Sequence, residues 1–122
     1  MSLLTLLPTL TKKLQEFSDA LDALAGDQLN KGKLAGVEAS ADELFEAGNS
    51  KLLALPGITD GSDVSIAAEN LAGKVRMAAR VVVKSLAKGV AEGDTDKVGR
   101  MIAKGRELVA EIGRLVGEAK SL

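Results

Sequence analysis

The chain contains no cysteine, histidine, tryptophan or tyrosine, and its aromatic complement is two phenylalanines among 122 residues. Without cysteine there is neither a disulfide framework nor a thiolate metal site, so a reducing compartment fits and the cytoplasm is the expected location. Without histidine the commonest general base and the usual imidazole metal ligands are missing. The shortage of aromatics leaves the core to Leu, Val, Ile and Ala, which pack readily between helices. No apolar run approaches the roughly 20 residues that span a bilayer. The apolar start, MSLLTLLPTL, lacks a basic n-region, and its leucines run in phase with Leu14, Phe17, Leu21 and Leu24, so it reads as helix rather than signal peptide.

What is present is helical periodicity. Apolar residues make up 46% and charged residues 27%, a balance expected of a globular domain rather than a disordered chain. At this length one domain, 1–122, buries about two-thirds of its unfolded surface. Leu3, Leu7, Leu10, Leu14, Phe17, Leu21 and Leu24 form one heptad seam, predicting a first helix over about 5–25 with Pro8 in its first turn and Gly26 as C-cap. A second helix, about 28–55, starts between Asp27 and Asn30 and carries Leu34, Val37, Ala41, Leu44 and Phe45. Leu52 and Leu55 resume its pattern after an interruption at 46–51, where Gly48 and Asn49 predict a weak point or kink. Residues 56–62 read as a loop, with Ser62 or Asp63 capping a third helix over 63–92 that carries Val64, Ala67, Leu71, Val75, Ala78, Val82 and Leu86 on one face. Gly93, Asp94 and Thr95 make a tight connection to a fourth helix, 95–120, whose apolar stripe is Met101, Leu108, Val109, Ile112, Leu115, Val116 and Ala119. Short loops make these an antiparallel, up-and-down, all-α four-helix bundle.

The pattern carries no catalytic signature. Asp42, Glu43 and Glu46 can cluster, but they read as a solvated acidic face, because the Glu-x-x-His ligand pair of a di-metal bundle cannot be made from this composition. Asp60-Gly-Ser-Asp63 lacks the alternating acids and distal Glu of a calcium loop and reads as a capped turn. The glycines are dispersed, and no phosphate-cradling loop is formed. We therefore expect a protein that is not an enzyme and requires neither cofactor nor metal.

Two surfaces stand out. Arg76, Arg80, Lys84 and Lys88 recur every fourth residue and form a basic stripe facing away from the apolar side of the third helix; Met77 and Val81 lie beside it. Residues 1–60 hold five Lys or Arg against nine Asp or Glu, a net of −4, while 61–122 hold eleven against eight, a net of +3. The stripe suits an acidic partner such as a filament, a protein surface or anionic lipid, or else is a solvated face lying beside the acidic second helix. No aromatic stacking residue accompanies it, which argues against nucleic acid. On the fourth helix, Gly99, Ala103, Ala110, Gly113 and Gly117 form a small-residue arc broken by Arg106, a face that admits either a homodimer or plain exposure.

The fourth helix also resembles the talin-type helices recognised by vinculin, whose pattern is Leu-x-x-Ala-Ala-x-x-Val-Ala-x-x-Val-x-x-Leu-Ile-x-x-Ala. Met101 takes the first Leu position, Leu108 and Val109 the Val-Ala pair, Ile112 the next Val, Leu115 and Val116 the Leu-Ile pair and Ala119 the last Ala; Lys104 and Gly105 depart from Ala-Ala. The third helix is more loosely similar through Leu71, Val75, Ala78, Ala79, Val82 and Leu86, with Lys74 and Ser85 departing. Residues 90–97 resemble the hairpin of vinculin and alpha-catenin bundles. The resemblance implies a four- or five-helix bundle in a cytoskeletal or scaffold adaptor, with an actin-like filament, acidic phospholipid or a partner amphipathic helix as ligand.

Overall fold

The computed structural model describes residues 2–56 and 61–122, and within them the chain forms four helical rods and no strand. Helix α1 spans Leu3–Ala25 and begins two residues earlier than the sequence predicts, because the Ser2 side chain accepts from the Thr5 N–H and caps it. Pro8 therefore lies two residues deeper than expected, in the second turn rather than the first. Its missing N–H deprives the Leu4 carbonyl of an i+4 donor, on a side of the helix where both Leu4 and Pro8 are exposed. Gly26 ends α1 as expected, but with φ −74°, so its left-handed freedom is not used.

Helix α2 runs through the α-helical Lys31–Phe45, capped by the Asn30 side chain, then a π-helical segment Glu46–Lys51, and on through Leu52 and Leu53. The interruption expected at 46–51 is this π segment, not a break. Leu44, Gly48 and Leu52 are buried at steps of four, a spacing that drifts about 40° per step around an α-helix. The wider turn holds them on the core side, and Ala47 and Gly48 are both drawn inward. Helix α3 comprises Asp63–Arg76, a second π segment Met77–Val82, and Val83–Glu92. Around this segment the adjacent pairs Ala78 with Ala79 and Val82 with Val83 are buried. Ser62 caps α3 by accepting from the Ser65 N–H. The rest of the loop expected at 56–62, and the Asp60 end of the candidate calcium turn, fall on residues 57–60, outside the described residues.

Helix α4 spans Thr95–Lys120, as its periodicity predicts. Gly93 closes α3 at φ +67°, a left-handed conformation that favours glycine, and the Asp94 carboxylate accepts from the Lys97 N–H to open α4.

Contacts set the order of the rods. The Gly48 Cα approaches Leu10 and Val75, and Lys13 reaches Glu43, so rising positions on α1 meet falling positions on α2. In the same sense Asp42 meets Arg80 and Asn49 meets Ala72 across α2 and α3; Gly89 meets Val98 and Lys74 meets Glu111 across α3 and α4; and Asp22 of α1 meets Arg106 of α4, while Gly99 of α4 nears Gln28 just beyond the end of α1. Each helix thus lies antiparallel to its neighbours, and α4 returns to α1. The enclosed core is aliphatic, with Phe17 its one fully buried aromatic residue. No buried side-chain nitrogen or oxygen among the described residues lacks a hydrogen-bond partner; Ser40, for example, donates to the Val37 carbonyl.

Candidate interaction surface

The basic stripe forms on the outer face of α3, and Arg76, Arg80, Lys84 and Lys88 are all exposed. They do not form one uniform row. The Arg80 guanidinium leaves it to donate to the Asp42 carboxylate on α2 at 2.7 Å, and lies over the Phe45 ring with its central carbon 4.1 Å from the centroid. Arg80 is thereby a clasp between α2 and α3 as well as a surface cation. Both partners are exposed, so the ion pair is worth about 0.2–1 kcal/mol and the ring contact about 0.5–1 kcal/mol. Arg76, Lys84 and Lys88 enter no ion pair among the described residues. Met77 and Val81 are 39% and 58% exposed beside them.

The π segment positions this surface. Met77, Arg80 and Val81 all belong to it, and its wide turn carries Ala78, Ala79 and Val82 to the core while leaving these three outside. Two of its features went unread in the sequence: Phe45 under Arg80, and the place of Glu38 in line with Asp42 and Glu46 as a row of exposed carboxylates on the acidic second helix. The signal for the second was present, since those acids also recur every fourth residue. With Asp42 opposite Arg80 and the helices antiparallel, Glu38 stands level with Lys84 and Glu46 with Arg76.

Between α2 and α1 a groove of about 320 Å³ is lined by Thr9, Lys13, Asp42, Glu43, Glu46, Ala47 and Lys51, so Asp42 and Glu46 of the acidic row also border α1. The Asp42, Glu43 and Glu46 cluster of the sequence does assemble here, with cations already among it. Lys13 donates to Glu43 at 3.4 Å and also lies 3.5 Å from Glu16. The hydrogen bond it donates to Glu43, with the charges of both acids, holds the Lys13 ammonium above its ordinary pKa despite some desolvation. Among the described residues no cluster of three or more acids is arranged to hold a metal ion.

The stripe on α4 is broader than its sequence register and centred differently. Leu108, Ile112, Val116 and Ala119 are buried as expected, but Met101, Val109 and Leu115 are only half-buried, and the remaining core positions are Val98, Ile102 and Gly105. The cause is that α4 packs against both α1 and α3. At Gly105 a Cβ would lie 2.9 Å from Leu21 Cδ1 and 3.5 Å from Val82 Cγ1, so the absence of a side chain sets the line of closest approach. Of the small-residue arc, Ala103, Ala110, Gly113 and Gly117 are exposed, Gly99 is half-buried near Gln28, and Arg106 is held by Asp22 at 2.9 Å. The vinculin-binding-like residues of α4 therefore contribute to this bundle's own core, and a partner can reach Leu108, Ile112 and Val116 only when α4 leaves it.

No helix among the described residues is long and apolar enough to cross a membrane. No protein-family model, curated protein or solved structure matches the chain.

Proposed function

We propose that this protein is a non-catalytic interaction module, a helical bundle of the vinculin/talin-like kind serving as a cytoskeletal or scaffold adaptor, whose α3 outer face docks an acidic partner such as an actin-like filament. The observation that carries the reading is the pairing of two exposed apolar side chains, Met77 and Val81, with three cations, Arg76, Lys84 and Lys88, that make no ion pair among the described residues. Cations of one sign along a rigid helix steer an acidic surface into contact, and desolvated apolar groups beside them supply short-range affinity. Arg80 contributes less to docking than its position suggests, since Asp42 and Phe45 already hold it. The burial of Leu108, Ile112 and Val116 makes presentation of α4 to a groove-bearing partner the weaker route, because it exposes core surface at about 25 cal/mol per Å².

The test is cosedimentation with actin filaments across a salt series, with anionic and neutral vesicles as separate arms. Filament binding that weakens with salt and is lost in the combined variant Arg76→Gln, Lys84→Gln, Lys88→Gln supports the reading. Equal binding by parent and variant at low salt makes the stripe a solvated face. Binding to anionic vesicles alone moves the partner from a filament to a lipid surface.

A further inference from the structure

The charged rows flanking the seam between α2 and α3 form a pattern that is its own complement. Glu38, Asp42 and Glu46 are exposed at steps of four on one helix, and Arg76, Arg80, Lys84 and Lys88 at steps of four on the other. The antiparallel register places them as rungs: Glu38 level with Lys84, Asp42 with Arg80, Glu46 with Arg76. Within one molecule only the middle rung closes, at 2.7 Å; Glu38, Glu46, Arg76 and Lys84 make no ion pair among the described residues. Both outer rungs therefore keep charge to offer.

We infer that a second copy of this chain covers this face, related to the first by a two-fold axis that lies in the interface parallel to the helices. That rotation exchanges left and right across the seam while keeping height along the bundle, so α2 of the second copy lies over α3 of the first. Each acid then meets the cation of its own rung in the other molecule, Glu38 against Lys84 and Glu46 against Arg76, and each contact occurs twice. The perpendicular two-fold would lay acid row on acid row and basic row on basic row, which like-charge repulsion opposes. The interface is isologous and closes at two copies. The inference rests on α3 presenting a docking surface, as proposed above, and identifies one occupant of it.

Sedimentation of the full chain over a range of concentrations at low and high salt tests this, with two charge-reversed variants that spare the Asp42–Arg80 clasp: Glu38→Lys with Glu46→Lys, and Arg76→Glu with Lys84→Glu. The parent should pass from monomer to dimer as concentration rises, less readily in high salt. Each variant alone should dimerise about tenfold more weakly or worse, while an equimolar mixture of the two recovers the dimer because every rung is again opposite in sign. A chain carrying all four reversals should also dimerise, which separates lost contact from lost fold; unchanged circular dichroism of each variant completes that control. A parent that stays monomeric at low salt, variants that dimerise like the parent, a mixture that stays monomeric, or masses that grow beyond the dimer each overturn the inference. The Glu38→Lys, Glu46→Lys variant retains the α3 face and so should still bind filaments. If it binds them while the parent never dimerises, only the dimer fails; if the parent dimerises and neither binds filaments, only the adaptor reading fails.

Discussion

At Gly48 three helices come within one methyl group of each other. A Cβ there would lie 2.7 Å from Val75 Cγ2 on α3 and 2.8 Å from Leu10 Cδ1 on α1, both in the packed core. Gly48→Ala should accordingly lower stability by about 1–3 kcal/mol despite the better helix propensity of alanine. Gly113→Ala, on the open outer side of α4 with nothing within 4 Å, should raise stability by up to about 1 kcal/mol. Urea denaturation of the two variants against the parent reads the difference in sign directly. Lys13 offers a pH test: because its folded pKa is raised, chiefly by the Glu43 hydrogen bond, its contribution is fully present below the unfolded lysine value of 10.5 and is lost as pH rises through the folded one. Glu43→Gln should bring the Lys13 titration down, observed at its side-chain resonances by NMR.

The helices themselves divide into faces that tolerate charge and faces that do not. Ile112 is fully buried on α4 and Ala110 is exposed on the same helix. Ile112→Asp should cost several kcal/mol by burying an unpaired carboxylate, whereas Ala110→Asp should stay within about 0.5 kcal/mol of the parent, as thermal melts of both would show. Equal damage from both would mean that the outer side of α4 is covered as well. At its N-terminus, Asp94→Ala removes the acceptor for the Lys97 N–H and should cost about 1 kcal/mol in the same assay. The π segments extend this argument from single residues to a stretch of helix. Ala47 with Gly48 and Ala78 with Ala79 are buried as adjacent pairs within them, as Leu6 with Leu7 and Leu71 with Ala72 are in the regular α-helical stretches.

For the molecule as a whole, charge is divided along the chain: residues 1–60, which contain α1 and α2, carry a net of −4, and residues 61–122, which contain α3 and α4, a net of +3. With charge divided in this way, any association of the protein should depend on salt more strongly than a net charge of −1 suggests. The triple variant Arg76→Gln, Lys84→Gln, Lys88→Gln should keep the parent's circular dichroism spectrum and lie within about 0.5 kcal/mol of its stability, because none of the three side chains is buried or ion-paired among the described residues. Adding Arg80→Gln should cost further stability, since it removes the clasp to Asp42 and Phe45.

Local chemistry determined most of the secondary structure. Apolar residues at steps of three and four specify a helix without knowledge of its neighbours, and Gly93 followed by Asp94 marks a stop and a start through backbone conformation and a side-chain acceptor alone. The basic stripe was legible for the same reason, as a spacing along one helix. Packing between helices decided the rest. Periodicity reports which side of a rod is apolar, but the centre of the α4 stripe depends on how closely α1 and α3 approach, and that distance is set at Gly105 by Leu21 and Val82. The interruption in α2 showed in the residues, but its resolution as a π turn depends on the core side that Leu44 and Leu52 must share. Arg80 looked like one of four equivalent cations because its spacing is the same as theirs. Only the register of α2 against α3, which brings Asp42 and Phe45 under its guanidinium, distinguishes it from Arg76, Lys84 and Lys88.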